Sequence, residues 1–288
     1  MKKYCVLYNP LAGNGRGEAQ ARELEKTLQN CELRFLNMTA IEDYGALFAS
    51  LQEGEGLILC GGDGTLNRFI NKTADLEKPE NLLYYACGSG NDFLRDTGMT
   101  REDGPFLLTP YLKHLPVISV QGRQEYFING IGYGIDGYCC ERGDELREKS
   151  DKPVNYTSIA ITGLLFHYHP TKAVITVDGQ RLEMDKVWLA PTMLGRYYGG
   201  GMMPTPAQDR FAVKKELSLM LYHGFGKLKT LAVFPSIFKG EHVKHTEMVQ
   251  VLTGRHIKVE FDRPTPLQID GETVSNVREY EAFFPEKA

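Results

Sequence analysis

Gly61-Gly62-Asp63-Gly64-Thr65 follows directly on the apolar run Gly56-Leu57-Ile58-Leu59-Cys60, and the reading of this stretch decides the fold class. A short apolar run stopped by a glycine pair reads as a buried strand that must turn sharply at its end. The segment from Thr65 to Asn71 reads as a helix opening on a threonine, so the expectation is strand, glycine turn, helix start. Glycines at such a turn let a ligand approach the backbone. The helix start presents unpaired N–H groups with a partial positive charge, which suits a phosphate. Asp63 is the anomaly, because a bare carboxylate repels a phosphate unless a cation or a hydroxyl donor lies between them. It points to a metal-assisted phosphate site; an ordinary glycine turn with a capping aspartate accounts for the same residues.

Outward from this stretch, the chain up to about residue 100 alternates apolar runs with helical patterns. Strands are predicted at Tyr4 to Tyr8, Leu33 to Met38, Leu57 to Cys60 and Leu82 to Cys87, with helices at Glu18 to Leu28, Tyr44 to Leu51 and from Thr65. That rhythm implies a parallel sheet with helices on its faces and ligands at the carboxyl ends of its strands. From about Pro116 the pattern changes to longer β-like runs, among them Ile257 to Phe261 and Leu267 to Ile269, with an Asp178-Gly179 hairpin turn and helical insertions near Tyr156 to Phe166 and Lys227 to Phe238. The fold class is therefore α/β: an N-terminal parallel-sheet domain and a C-terminal antiparallel β-rich domain, with a cleft between them as the default ligand site.

At 288 residues with 42% hydrophobic and 24% charged side chains, the composition is that of a soluble globular protein of two ordinary domains. A formal net charge of −4 argues against a nucleic-acid binder. The apolar run after Lys2-Lys3 is too short for a signal-peptide core or a membrane span. The six cysteines lack CxxC spacing and read as reduced structural thiols of a cytoplasmic protein.

Related glycine turns recur at strand ends: Asn9-Pro10-Leu11-Ala12-Gly13-Asn14-Gly15-Arg16-Gly17, Cys87-Gly88-Ser89-Gly90-Asn91-Asp92-Phe93, Asn129 to Gly137, and Asp270-Gly271-Glu272. Gly13 and Gly15 are positioned to expose backbone N–H groups to phosphate. Neither a dinucleotide fingerprint nor a GxxxxGK[ST] loop is present, since a GxGxxG reading needs glycine at Glu18. Asp63, Asp92, Asp136, Asp270 and Glu272 each sit beside glycine or a small polar residue, and their recurrence suggests a shared magnesium and phosphate site.

These motifs resemble, in order and over nearly the full chain, the lipid kinases with a diacylglycerol-kinase catalytic domain, which include bacterial diacylglycerol kinases and sphingoid long-chain base kinases. The resemblance rests on Asn9-Pro10 with Gly13 and Gly15, Gly61 to Thr65, Gly88 to Phe93, Gly134 to Gly137, Gly199-Gly200-Gly201 and Asp270-Gly271-Glu272. It implies an ATP domain over residues 1–116, to which a strand near 277–288 returns, and a lipid domain over 117–276. ATP and Mg2+ are the implied cofactors. Asn9, Gly13, Gly15, Gly61, Gly62, Asp63, Gly64, Thr65, Gly88, Ser89 and Asn91 would line the nucleotide, and Asp63, Asp92 and Glu272 the magnesium network. Asp270 would be the general base with Glu272 beside it, and Asp136 would face the acceptor headgroup. Arg16, Arg95 and Arg142 are candidate phosphate contacts.

The implied partner is a lipid at the membrane surface, met by peripheral association of a cytoplasmic protein with the inner membrane surface, with a homodimer left open. The segment Leu221 to Lys239, apolar with three lysines, suits anionic lipid or core packing equally. One departure stands out. Pro204-Thr205-Pro206-Ala207-Gln208-Asp209-Arg210 carries arginine where the family has a glycine in a loop able to hold a structural magnesium. Two alternatives share the glycine turns: an NAD kinase-like phosphotransferase, and a nucleotide-binding protein without turnover.

Overall fold

Parallel pairing in the first part of the chain follows from the apolar runs read above. The computed structural model describes residues 1–149 and 154–286 and divides into two units, Met1–Leu115 and the remainder from Pro116. In the first unit, β1 (Lys2–Tyr8), β2 (Cys31–Asn37), β3 (Glu55–Gly61), β4 (Leu82–Ala86) and β5 (Phe106–Leu107) form one sheet in the order β2-β1-β3-β4-β5. All its pairs are parallel except the short antiparallel edge β4/β5. β3 is buried along its whole length, as an interior strand covered on both faces must be.

The helices of this unit are α1 (Ala12–Gly15), a single distorted turn, then α2 (Gly17–Arg22), α3 (Leu24–Thr27), α4 (Tyr44–Ala49), α5 (Asp63–Lys72) and α6 (Asp92–Thr97). The one helix expected over 18–28 is thus two short ones, and α5 begins at Asp63 rather than Thr65. Ala21 and Leu24 pack with Val6, Ile58, Cys60 and Cys87 on one face of the sheet. Phe93 packs edge-on against Tyr84 and Tyr111, seating α6.

The second unit is a ten-stranded sheet whose pairings are all antiparallel. Its strands are β6 (Val117–Val120), β7 (Arg123–Tyr126), β8 (Gly130–Tyr133), β9 (Thr171–Val177), β10 (Gln180–Val187), β11 (Thr192–Met193), β12 (Leu217–Tyr222), β13 (Val249–Gly254), β14 (His256–Ile269) and β15 (Glu272–Phe283). The path runs β13-β12-β11-β8-β14-β15-β6-β7, with β9 beside β14 and β10 beside β9. Asp178 and Gly179 both have positive φ, 46° and 83°, the geometry a two-residue hairpin turn demands.

Helix α7 (Ile135–Lys149) and helix α8 (Tyr156–Thr162), continued by a π-helical turn at Gly163–His167, cover part of the sheet together with α9 (Lys227–Val233) and a 3-10 turn at Phe234–Lys239. Trp188, Tyr168, Met220, Tyr222 and Ile237 form the core beneath them, and the Trp188 indole donates to the Phe225 carbonyl at 2.9 Å.

Three expectations are corrected. The segment from residue 277 does not return to the first sheet: β15 pairs with β14 and with β6, because its Val277, Tyr280 and Ala282 bury into the second sheet. The end of that expected strand, residues 287–288, lies outside the described residues. Asn129 to Gly137 is no simple turn but a strand, β8, running into α7. Two strands expected at 257–261 and 267–269 are one, β14, which absorbs Pro264 and Pro266 at register shifts.

Candidate active site

The carboxyl ends of β1, β3 and β4 are neighbours in the first sheet, and the turns that follow them close on one another. Asn9, just after β1, donates its amide to the Thr65 hydroxyl on α5 at 2.8 Å and accepts the Leu11 N–H at 3.0 Å. Gly13 (φ +58°) lies where a β-carbon would stand 2.8 Å from the Cys87 carbonyl. Gly62 and Gly88 touch backbone to backbone: a β-carbon on Gly88 would sit 2.5 Å from the Gly62 α-carbon. Only glycine permits this approach, and it is what brings the Gly61 to Thr65 turn against the Gly88 to Asn91 turn.

Asp63 ties these turns together. Its Oδ2 accepts the Asp92 N–H at 3.1 Å and its Oδ1 the Phe93 N–H at 2.9 Å, so an acid from the first turn of α5 caps the N-terminus of α6. Asn91, the residue before α6, is left-handed (φ 51°) and turns its amide back onto Gly88, giving Nδ2 to the carbonyl at 2.8 Å and taking the N–H on Oδ1 at 2.9 Å. Asp92 is buried; Ser89 is exposed at the tip of its turn. Gly15 commits its N–H to the Leu11 carbonyl at 3.3 Å, and Arg16 turns its Nε to the Gly13 carbonyl at 3.3 Å, so this loop is braced from within. Gly61 gives its carbonyl to the Cys87 N–H and the Tyr84 hydroxyl, each at 2.8 Å. Gly64 occupies the first turn of α5, whose opening N–H groups face the end of β3.

In the second unit, Asp270 ends β14 with φ +48° and is buried. Its carboxylate accepts the N–H of Ile128 at 2.7 Å, of Asn129 at 2.8 Å and of Gly130 at 3.0 Å, and its own N–H goes to the Gly130 carbonyl at 3.0 Å. Glu272, exposed at the start of β15, lies close enough with Asp270 to act on Glu125. Burial first, then the charges of Asp270 and Glu272, push the Glu125 carboxyl up from its ordinary value.

Asp136 lies in the first turn of α7, buried, with Oδ1 accepting the Gly137 N–H at 3.0 Å. Its Oδ2 lies against Gly132 beside the Gln268 amide, and burial pushes its carboxyl up to about 7. The Tyr198 hydroxyl, buried too, lies beside Asp136.

Asn9, Gly13, Gly61, Gly62, Asp63, Thr65, Gly88 and Asn91 are thus brought together, and Asp270 is brought together with Glu272 around Glu125. Two residues, Glu125 and Gln268, were not singled out in the sequence. Glu125 had a signal, since alternation along 125–127 places this acid on the face of buried Phe127. Gln268 accepts the Gly271 N–H at 2.7 Å and links the Asp270 turn to the Asp136 side. Arg210 gives Nη1 to the Ile128 carbonyl at 3.1 Å, bracing the segment whose N–H groups Asp270 holds; only its departure from the family loop was legible. Asp209 turns onto the Phe211 N–H at 2.8 Å. Arg142 pairs with Glu145 on exposed helix surface.

Residues 3–115 match the model of the diacylglycerol kinase catalytic domain, and residues 129–287 that of the YegS C-terminal NAD kinase beta sandwich-like domain. The diacylglycerol kinase of Bacillus subtilis (strain 168) is 25% identical over 94% of this chain and 90% of its own length. That of Mycobacterium tuberculosis is 24% identical over 91% and 85%. A solved diacylglycerol kinase structure from Bacillus anthracis superposes with a TM-score of 0.57 at 19% identity, covering 98% of this chain and 94% of that one, which shows the shared fold. The chain belongs to the family that joins a diacylglycerol kinase catalytic domain to a YegS-type C-terminal β-sandwich domain.

Proposed function

We propose that the protein is an ATP- and Mg2+-dependent kinase that phosphorylates a hydroxyl of diacylglycerol or a related lipid. The observation that carries this reading is the closure of the β1, β3 and β4 turns on the first turn of α5, a glycine-lined backbone surface suited to phosphate oxygens. Asp63 orders that surface by holding the Asp92 and Phe93 amides that follow the Gly88 to Asn91 turn, and Thr65, Asn9 and Asn91 keep it in register. Among the described residues no group of three or more His, Cys, Asp or Glu side chains is close enough to hold a metal by itself. This fits magnesium, which binds through one or two carboxylates together with substrate phosphates. In the first unit Asp92 would supply such a carboxylate, and the ion when bound would neutralise phosphate charge.

Phosphoryl transfer asks for positioning more than for a strong base. Asp270, held rigid by three backbone N–H groups, would take the hydroxyl proton as general base. Asp136, whose carboxyl burial pushes up to about 7, suits a headgroup hydroxyl as acceptor or donor.

Labelled ATP offered with a panel of lipids in mixed micelles, and with NAD in parallel, tests the reading. Phosphoryl transfer to a glycerolipid hydroxyl and none to NAD is the expected result. Transfer to NAD alone overturns it, as does ATP-induced thermal stabilisation with no ADP released over the whole panel.

A further inference from the structure

We infer that the outward face of the helical insertions in the second unit, made by Ile161, Phe166, Leu228, Ala232, Pro235 and Phe238, docks on an anionic bilayer; the inference rests on the lipid-substrate reading and specifies where the lipid surface is met. In α9 and the 3-10 turn after it, the inward residues Thr230 and Ile237 are buried and Leu231, Val233 and Phe234 pack on the core. A surface helix normally turns charged residues outward on the opposite face. Here the outward residues recur at helical spacing and are apolar: Leu228, Ala232, Pro235 and Phe238, with Leu228 79% and Phe238 46% exposed.

The neighbouring element repeats the anomaly. From Val154 to His169 there is no Asp, Glu, Lys or Arg, yet Phe166 is 70% and Ile161 42% exposed. The Lys227 ammonium donates to the Leu165 carbonyl at 2.8 Å, which fixes the start of α9, and so Leu228, beside the π-helical turn that carries Phe166. The two apolar surfaces are therefore contiguous.

Charge selects the occupant. Residues 227–247 carry four lysines and two glutamates, in a chain whose formal net charge is −4. Glu247 pairs with Lys229, whose ammonium also lies over the Phe225 ring at 3.7 Å, and Glu241 pairs with Lys244, which leaves a net positive charge with Lys239 exposed at the end of the stripe. An apolar face rimmed by lysines complements an anionic interface. A second copy meeting this face isologously would set the same lysines against one another.

The test is co-sedimentation of the full chain with vesicles of phosphatidylcholine alone or mixed with phosphatidylglycerol, comparing wild type with the combined variant Phe166→Ser, Leu228→Ser, Phe238→Ser. All three side chains are exposed, so the melting temperature is expected to hold. Vesicle binding is expected to require phosphatidylglycerol and to fall by about tenfold or more in the variant. Phosphorylation of a short-chain lipid dispersed as monomers is expected to persist in the variant while that of vesicle lipid drops. Equal vesicle binding by variant and wild type overturns the docking face alone. So does a wild-type dimer that ignores vesicles and is abolished in the variant. Vesicle binding lost in the variant, with no lipid phosphorylated by either protein, leaves the face standing and removes the lipid-kinase reading instead.

Discussion

Asp270→Asn is the substitution whose outcome the structure reshapes most. The side chains are nearly isosteric and asparagine tolerates the left-handed φ of +48° as well as aspartate does, so backbone strain stays constant. What changes is acceptor capacity. The carboxylate takes three backbone N–H groups at 2.7, 2.8 and 3.0 Å, two on Oδ1 and one on Oδ2. An amide that keeps its oxygen on Asn129 and Gly130 points its NH2 at the Ile128 N–H, donor against donor. Losing one charge-assisted bond costs about 1.5–3 kcal/mol and stranding a buried N–H about 1–3 kcal/mol, so the variant is expected to lose roughly 3–5 kcal/mol. At about 2–4 °C per kcal/mol for a unit of this size, the melting temperature is expected to fall by roughly 6–20 °C. Urea unfolding followed by the fluorescence of Trp188, the sole tryptophan and buried in the same unit, reads this directly. A variant within about 1 kcal/mol of wild type refutes the anchoring argument. The expected loss also bears on the assignment of the base: turnover of this variant must be measured at a temperature where it is folded, or a missing anchor passes for a missing base.

Gly88→Ala drives a β-carbon to 2.5 Å from the Gly62 α-carbon, and because both are backbone the turns must separate. ATP affinity measured calorimetrically is expected to fall by about tenfold or more, with about 1–3 kcal/mol lost from stability; unchanged affinity refutes the role given to this contact. Asp136→Asn tests the buried acid. Its carboxyl is raised from 3.8 to about 7, so between those values the folded chain keeps a proton that the unfolded chain has shed. Wild-type stability attributable to this group therefore declines as pH rises through that window and is lowest above it. The variant is expected to match wild type near pH 4 and to exceed it by up to roughly 4 kcal/mol near pH 8. Urea midpoints across pH check this, and a difference between the two proteins that is flat with pH rejects it.

The glycine turns of the first unit were legible because local and tertiary signals agree there. An apolar run, a glycine pair and a helix start name β3, its turn and α5 without help from distant residues. β8 was hidden because its glycines serve packing rather than turning. A β-carbon at Gly130 would stand 2.9 Å from the Met193 methyl, and one at Gly132 would stand 2.5 Å from the Gln268 amide nitrogen. Those partners lie tens of residues away, where no local pattern reaches. α7 was hidden for the complementary reason: most of its residues are charged or polar and only its first turn and Cys139 and Gly143 are buried. β14 was split by Pro264 and Pro266, which argue locally against a strand and are accommodated at bulges. The role of Asp270 as an anchor depends on N–H groups about 140 residues earlier in the chain, a pairing set by topology alone.

The capping of α6 by Asp63 makes that helix a gauge of how the first unit assembles. Six residues do not persist as a helix in isolation, and the amides of Asp92 and Phe93 reach their carboxylate across 29 and 30 residues of chain. The capped helix is therefore expected to form late in folding, once β3 and β4 have paired and carried Asp63 to it. Hydrogen exchange at those two amides is expected to follow the parting of the central strands rather than fraying at a helix end, which would give this turn the cooperativity of the whole sheet.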